Sequence, residues 1–95
     1  MKFEWDLAKE FENQKKHNLN FSEAVDAFLD EKGFVLEDKK HSESEERFYW
    51  VGQDQHGRIL TVRFVRRGHA IRIFGCAEWR EFKKLYYEKT KNNRS

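Results

Sequence analysis

Proline is absent from this 95-residue chain, cysteine and methionine occur once each, and glycine only five times. Without proline there is no stiff linker and no polyproline segment for a partner to read. The single Cys76 forms no internal disulfide, which fits a reducing compartment. Long apolar runs are missing as well. No stretch approaches the roughly 20 residues of a membrane helix. The N-terminal MKFEWDLAKEFENQKK also has no apolar core like that of a signal peptide. A cytoplasmic protein with no membrane contact is expected.

What the chain does have is charge and aromatic area. Charged residues make up 38 %, balanced by nine Phe, three Trp and three Tyr, enough to bury one modest core. The expectation is a single domain over residues 1–95. The charge is unevenly spread. Residues 1–57 hold 8 Lys/Arg against 14 Asp/Glu, and residues 58–95 hold 11 against 3. A net charge of +2 therefore hides a strongly basic C-terminal part, whose natural partner is a polyanion such as RNA.

Local patterning predicts an α+β fold. Lys2–Trp5 alternates like a short strand, with Phe3 and Trp5 on one face. Asp6 suits the N-cap of a helix over 7–17 with a thin apolar stripe of Leu7, Ala8 and Phe11. Ser22 can cap a second helix that buries Ala24, Val25, Phe28 and Leu29, and Gly33 suits a left-handed end to it. Residues 34–37 read as a strand and 38–46 as a solvated loop. Arg47–Gly52, Arg58–Arg66 and His69–Gly75 then alternate with period two, predicting an antiparallel sheet of three to four strands. A C-terminal helix from about Glu78 to Lys89 carries Trp79, Phe82, Leu85 and Tyr86 on one stripe. Thr90–Ser95 reads as a frayed polar tail.

Placing the last hairpin's two-residue turn at Arg67-Gly68 sets Arg63 directly opposite Arg72, while Leu60, Val62, Phe64, Ile71 and Ile73 form the buried face. Two facing arginines call for a carboxylate from the acidic half or for an external anion. Phosphate fits that need, because guanidinium groups fork onto its oxygens. Arg72, Arg63 and Arg80 are the candidates to stabilise a developing phosphorane charge. His17, beside Lys16 at the end of the first helix, His41 and His69 are the candidates to move protons near neutral pH, with Lys16, Tyr86 and Tyr87 as weaker ones. Arg66, Arg67 and Lys83 are candidate RNA-backbone contacts. Trp50 or Phe48, whichever shares the arginine face, could stack a base. His41, Glu43 and Glu45 alternate, but three donors in an acidic loop make a poor metal site, and no metal or other cofactor is expected.

The order of motifs resembles the BrnT family, ribonuclease toxins of bacterial type II toxin–antitoxin pairs. The matching pieces run nearly end to end: FEWD (Phe3–Asp6), N-x-x-K-H (Asn13, Lys16, His17), F-x-E-A (Phe21, Glu23, Ala24), HSESEERF (His41–Phe48) with Gly52, RGHAIRI (Arg67–Ile73) and a final Y-E (Tyr87, Glu88). The resemblance implies a RelE-like fold and an endoribonuclease that cleaves RNA and arrests translation. It implies a BrnA-like antitoxin partner, and operator DNA bound only through the antitoxin complex. Lys16, His17, Glu46, Arg67 and Arg72 fall on motif positions; Arg63 does not. Many family members carry a segment like I-S-A-R after the last strand. This chain reads Phe74-Gly75-Cys76-Ala77-Glu78-Trp79-Arg80, resembling a second family pattern, G-x-x-x-W-R, but with Ala77 in place of an arginine. Arg80, one helical turn on, is the candidate to replace it. The alternative is a non-catalytic nucleic-acid-binding or protein-interaction module that retains the fold.

Overall fold

The computed structural model describes residues 1–91. Of the tail expected at Thr90–Ser95, the last four residues lie outside the described residues, and Thr90 and Lys91 complete a helix. The elements run β1 (Lys2–Trp5), α1 (Leu7–His17), α2 (Phe21–Ala27), β2 (Phe34–Glu37), a 3₁₀ turn at Lys39–His41, β3 (Arg47–Gln53), β4 (Ile59–Arg67), β5 (Ala70–Ala77) and α3 (Arg80–Lys91). The sheet has five strands in the order β1-β5-β4-β3-β2. Its β1–β5 pair is parallel and the others are antiparallel. The α+β class holds, but the sheet is mixed and wider than the three to four antiparallel strands expected. A four-residue alternation reveals a strand, and nothing local reveals that its partner lies at the far end of the chain.

Asp6 caps α1 as expected, its carboxylate accepting the Ala8 N–H at 2.8 Å. The expected apolar stripe is not what holds this helix, since Leu7 and Phe11 stay 74 % and 61 % exposed. Buried Asn13 holds it instead. Its amide donates to the carbonyls of Leu19 (3.0 Å) and Cys76 (2.9 Å), and its Oδ1 accepts the Cys76 N–H at 3.0 Å. Strand β1 pairs with β5 only from Ala70 to Ile73, so Cys76 lies on bare sheet edge. Asn13 completes that edge as a strand would and pins α1 beside the end of β5.

The second helix is capped two residues earlier than expected. Asn20, not Ser22, accepts the Glu23 N–H at 2.9 Å, and Glu23 accepts the Asn20 N–H at 2.9 Å in return. The helix stops at Ala27, which leaves Leu29 exposed rather than buried. Gly33 is not left-handed; it gives room to the Trp50 indole, which a Cβ there would meet at 2.3 Å.

Two cores follow from strand alternation. On one face Leu60, Val62, Phe64, Ile71, Ile73 and Cys76 pack against Phe21, Ala24 and Ala27 of α2. On the other, Val51 and Ile59 pack against Tyr86 of α3, flanked by Phe34 and Phe82. Each large side chain so buried contributes roughly 1.5–3 kcal/mol. Helix α3 covers only part of its face. The rest, toward α1, is left open.

Candidate functional site

The β4–β5 turn is Gly68-His69, with Gly68 at φ +61°, so Arg67 pairs with Ala70. A II′ hairpin places glycine at that first central position. The turn thus sits one residue later than expected, so partners shift by two as far as Phe64 and by three from Arg63 on. A shift of two preserves the faces, so the predicted core stays inside. It does abolish the facing arginines: Arg72 lies opposite Val65, and beyond a bulge at Arg63/Phe64, Arg63 lies opposite Gly75. Arg72 meets instead the carboxylate its charge called for, Glu4, its register partner on β1, at 3.7 Å.

Arg47, Arg63, Val65, Arg67, Arg72 and Phe74 share the open face of the sheet. Together with Lys9, Glu12, Lys16 and His17 from α1 they line two adjoining hollows of about 170 and 280 Å³. The two hollows share Lys9, Arg47 and Phe74. The Arg47 and Arg63 guanidinium carbons lie 5.1 and 5.4 Å from the Phe74 ring centroid, and Arg63 also lies 5.9 Å from that of Trp79. Glu45 approaches Arg67 at 3.4 Å on the outer rim. The result is a concave strip dominated by cations, with aromatic rings beneath the guanidinium groups.

His17 lines the hollow beside Lys16 and Arg63. Its pKa is lowered, first by desolvation and then by the charges of Lys16 and Arg63. The imidazole is therefore neutral near neutral pH and able to accept a proton beside the cations that would hold a phosphate. His41 makes a 2.9 Å contact with Asp38 in the solvated loop, and His69 is exposed in the hairpin turn. Burial raises the Tyr86 hydroxyl, which donates to Asp30 and thereby ties α3 to the end of α2. Glu23, a motif position, is structural too: besides capping α2 it pairs with Arg58, which also meets Asp54 at 2.7 Å.

Residues 5–81 match the family described as the ribonuclease toxin, BrnT, of type II toxin–antitoxin systems. The chain belongs to this family. It is a BrnT-family ribonuclease toxin of a type II toxin–antitoxin system. The crystal structure of the Brucella abortus ribonuclease toxin BrnT, at 1.1 Å resolution, aligns with it at a TM-score of 0.65 and 23 % identity. The alignment covers 83 % of this chain and 96 % of that one, a likeness of fold. A comparison with curated proteins returned no match.

Within this BrnT-family fold the sequence-derived candidates divide into three groups. Arg63, Lys16 and His17 line one hollow, and Arg67 and Arg72 line its neighbour. Arg80 and Lys83 stand exposed on the first turns of α3 and line neither. Arg66 and Trp50 lie on the opposite face, in a mainly apolar groove of about 470 Å³ with Phe28, Leu29 and Val35. There Trp50 stacks on Phe28 and donates its indole N–H to the Ala27 carbonyl at 2.8 Å, and Arg66 lies over Phe48. The register puts both Phe48 and Trp50 on the core side, because they oppose Phe64 and Val62. Lys9, Arg47 and Phe74 join the groove without having stood out in the sequence. One signal was available for Lys9: it precedes Lys16 by two helical turns and so shares its face. Among the described residues, no group of three or more His, Cys, Asp or Glu is placed to hold a metal ion, and no helix is long and apolar enough to cross a membrane.

Proposed function

We propose that this toxin cleaves RNA in the groove between α1 and the open sheet face, without a metal, by attack of a 2′-hydroxyl on its own phosphodiester. His17 takes the 2′-hydroxyl proton. Arg63, with Lys16 beside it and Arg72 at the neighbouring hollow, stabilises the charge gathering on the phosphorane oxygens. The O2′–P bond forms and the P–O5′ bond breaks, leaving a 2′,3′-cyclic phosphate and a 5′-hydroxyl, the leaving oxygen taking its proton from solvent water. Arg67 guides the strand at the rim. The observation that carries this reading is the basic hollow that His17 lines together with Lys16, Arg47 and Arg63.

In the cell the reading places the protein in the cytoplasm, where its cleavage of RNA arrests translation. A BrnA-like antitoxin neutralises it, and operator DNA is bound through the antitoxin complex alone. Induced expression of the wild type and of Arg72→Ala in bacteria tests it. The wild type should stop growth and degrade RNA, and the variant should do so weakly. Intact RNA and normal growth with both would refute the proposal. One observation favours binding without cleavage as a second reading. Ala77 is buried at the position where the family resemblance leads one to expect an arginine, and Arg80 stands outside both hollows. Purified protein that retains RNA but never cuts it would decide for that reading.

A further inference from the structure

The arginines of this chain differ in what they already hold. Arg58 is engaged by Glu23 and Asp54, Arg67 by Glu45, and Arg72 by Glu4. Arg47 and Arg63 are half-buried, yet among the described residues neither has a carboxylate within ion-pair distance. They also share one aromatic ring, Phe74, at 5.1 and 5.4 Å. Both also line one hollow with that ring, where a single anion reached by both forks would offset their like charges.

We propose that Arg47 and Arg63 act as one two-guanidinium clamp for a single RNA phosphodiester, seated on Phe74 and set in place by Gly75. The inference rests on the reading of this groove as an RNA site and adds Arg47, Phe74 and Gly75 to it. Gly75 is the positioning residue. Because of the bulge at Arg63/Phe64 it faces Arg63 directly, and a Cβ there would stand 2.3 Å from an Arg63 terminal nitrogen and 2.6 Å from Cζ. The Arg63 guanidinium lies across bare glycine backbone, a path that any side chain at position 75 would close. The side chain is flexible enough to swing away, so alanine there would displace the guanidinium without altering any charge.

The test measures binding of the full chain to an uncleavable 2′-O-methyl oligoribonucleotide by fluorescence anisotropy across a series of KCl concentrations. Arg47→Ala and Arg63→Ala should each weaken binding about tenfold and flatten the salt dependence, by about 0.7 in log–log slope for each phosphate no longer neutralised. The double variant should be little worse than either single one, because half a clamp holds little. Gly75→Ala should reproduce Arg63→Ala with every charge retained, and Arg66→Ala, on the opposite face, should bind like the wild type. Wild-type affinity in Arg47→Ala or in a folded Gly75→Ala would overturn the clamp. Multiplying losses in the double variant would overturn it as well. Should Gly75→Ala fail to fold by circular dichroism, the Arg47/Arg63 cycle decides alone. The probe cannot be cut, so the two readings separate. Clamp behaviour with natural RNA left intact would refute the nuclease and keep the clamp. RNA cleavage by a protein whose Arg47→Ala binds normally would do the reverse.

Discussion

At the scale of single residues, the proposed chemistry turns on the protonation of His17. Desolvation and two cations lower its pKa, so the proton-accepting form persists to more acidic pH than the ordinary histidine value near 6.5 allows. A base must be deprotonated to act. The acid limb of cleavage should therefore fall below pH 6.5, with a flat rate from there to neutrality. Arg63→Ala removes one of the depressing charges and should move that limb to higher pH, in addition to slowing cleavage; a pH–rate profile of each protein checks both. His17→Ala should lose about 100-fold or more in rate, the usual worth of a positioned base. Cys76 behaves oppositely. Burial pushes its thiol up to about 12, so a thiol reagent should modify it only when the chain unfolds, at a rate that follows urea denaturation. His17 and Cys76 stand out for these parts in the sequence because their neighbours, Lys16 and an apolar strand end, already hint at them. Arg47 and Phe74 do not, since their meeting depends on a bulge that leaves no mark in the alternation.

At the scale of elements, one amide ties α1 to the sheet. Asn13→Ala would leave the Cys76 N–H and carbonyl and the Leu19 carbonyl without partners in a buried place. Buried groups left unpaired cost about 1–3 kcal/mol. In a domain of this size each kcal/mol lowers Tm by roughly 4–8 °C, which a thermal melt would read. Because α1 carries Lys9, Lys16 and His17, the same variant should also lose more cleavage than stability alone explains, measured below its Tm. The register of the last hairpin shows how far pattern reading reaches. Glycine, and not the residue before it, had to open the turn, since Gly68 takes the left-handed conformation. An error of one residue in the turn moved partners by two, and the bulge moved those beyond it by one more; Val62, Phe64, Ile71 and Ile73 kept their buried face while Arg63 and Arg72 lost their pairing. Faces are legible in a sequence because side chains alternate. Partners are less so, because they depend on turn geometry and bulges.

At the scale of the whole molecule, charge segregates along the chain and the fold gathers it into a groove. The acidic N-terminal part supplies Glu4 and Glu45 as restraints on Arg72 and Arg67, while the open sheet face and one side of α1 supply the unpaired cations. Binding of any RNA should therefore weaken steeply with salt, whatever its sequence. The mixed sheet was the least legible feature at this scale. Strand β1 belongs to the acidic end of the chain, yet it pairs with the last strand and brings Glu4 to Arg72.

The proposed cleavage of RNA in this groove needs residues of α1 and the sheet acting together. It is tested most directly by incubating the purified protein, His17→Ala and Arg63→Ala with a defined RNA in excess EDTA and analysing the ends. Wild-type fragments should end in 2′,3′-cyclic phosphate, with both variants folded but slowed about 100-fold or more. Fragments formed equally fast by His17→Ala, or no wild-type cleavage until a divalent metal is restored, would contradict it.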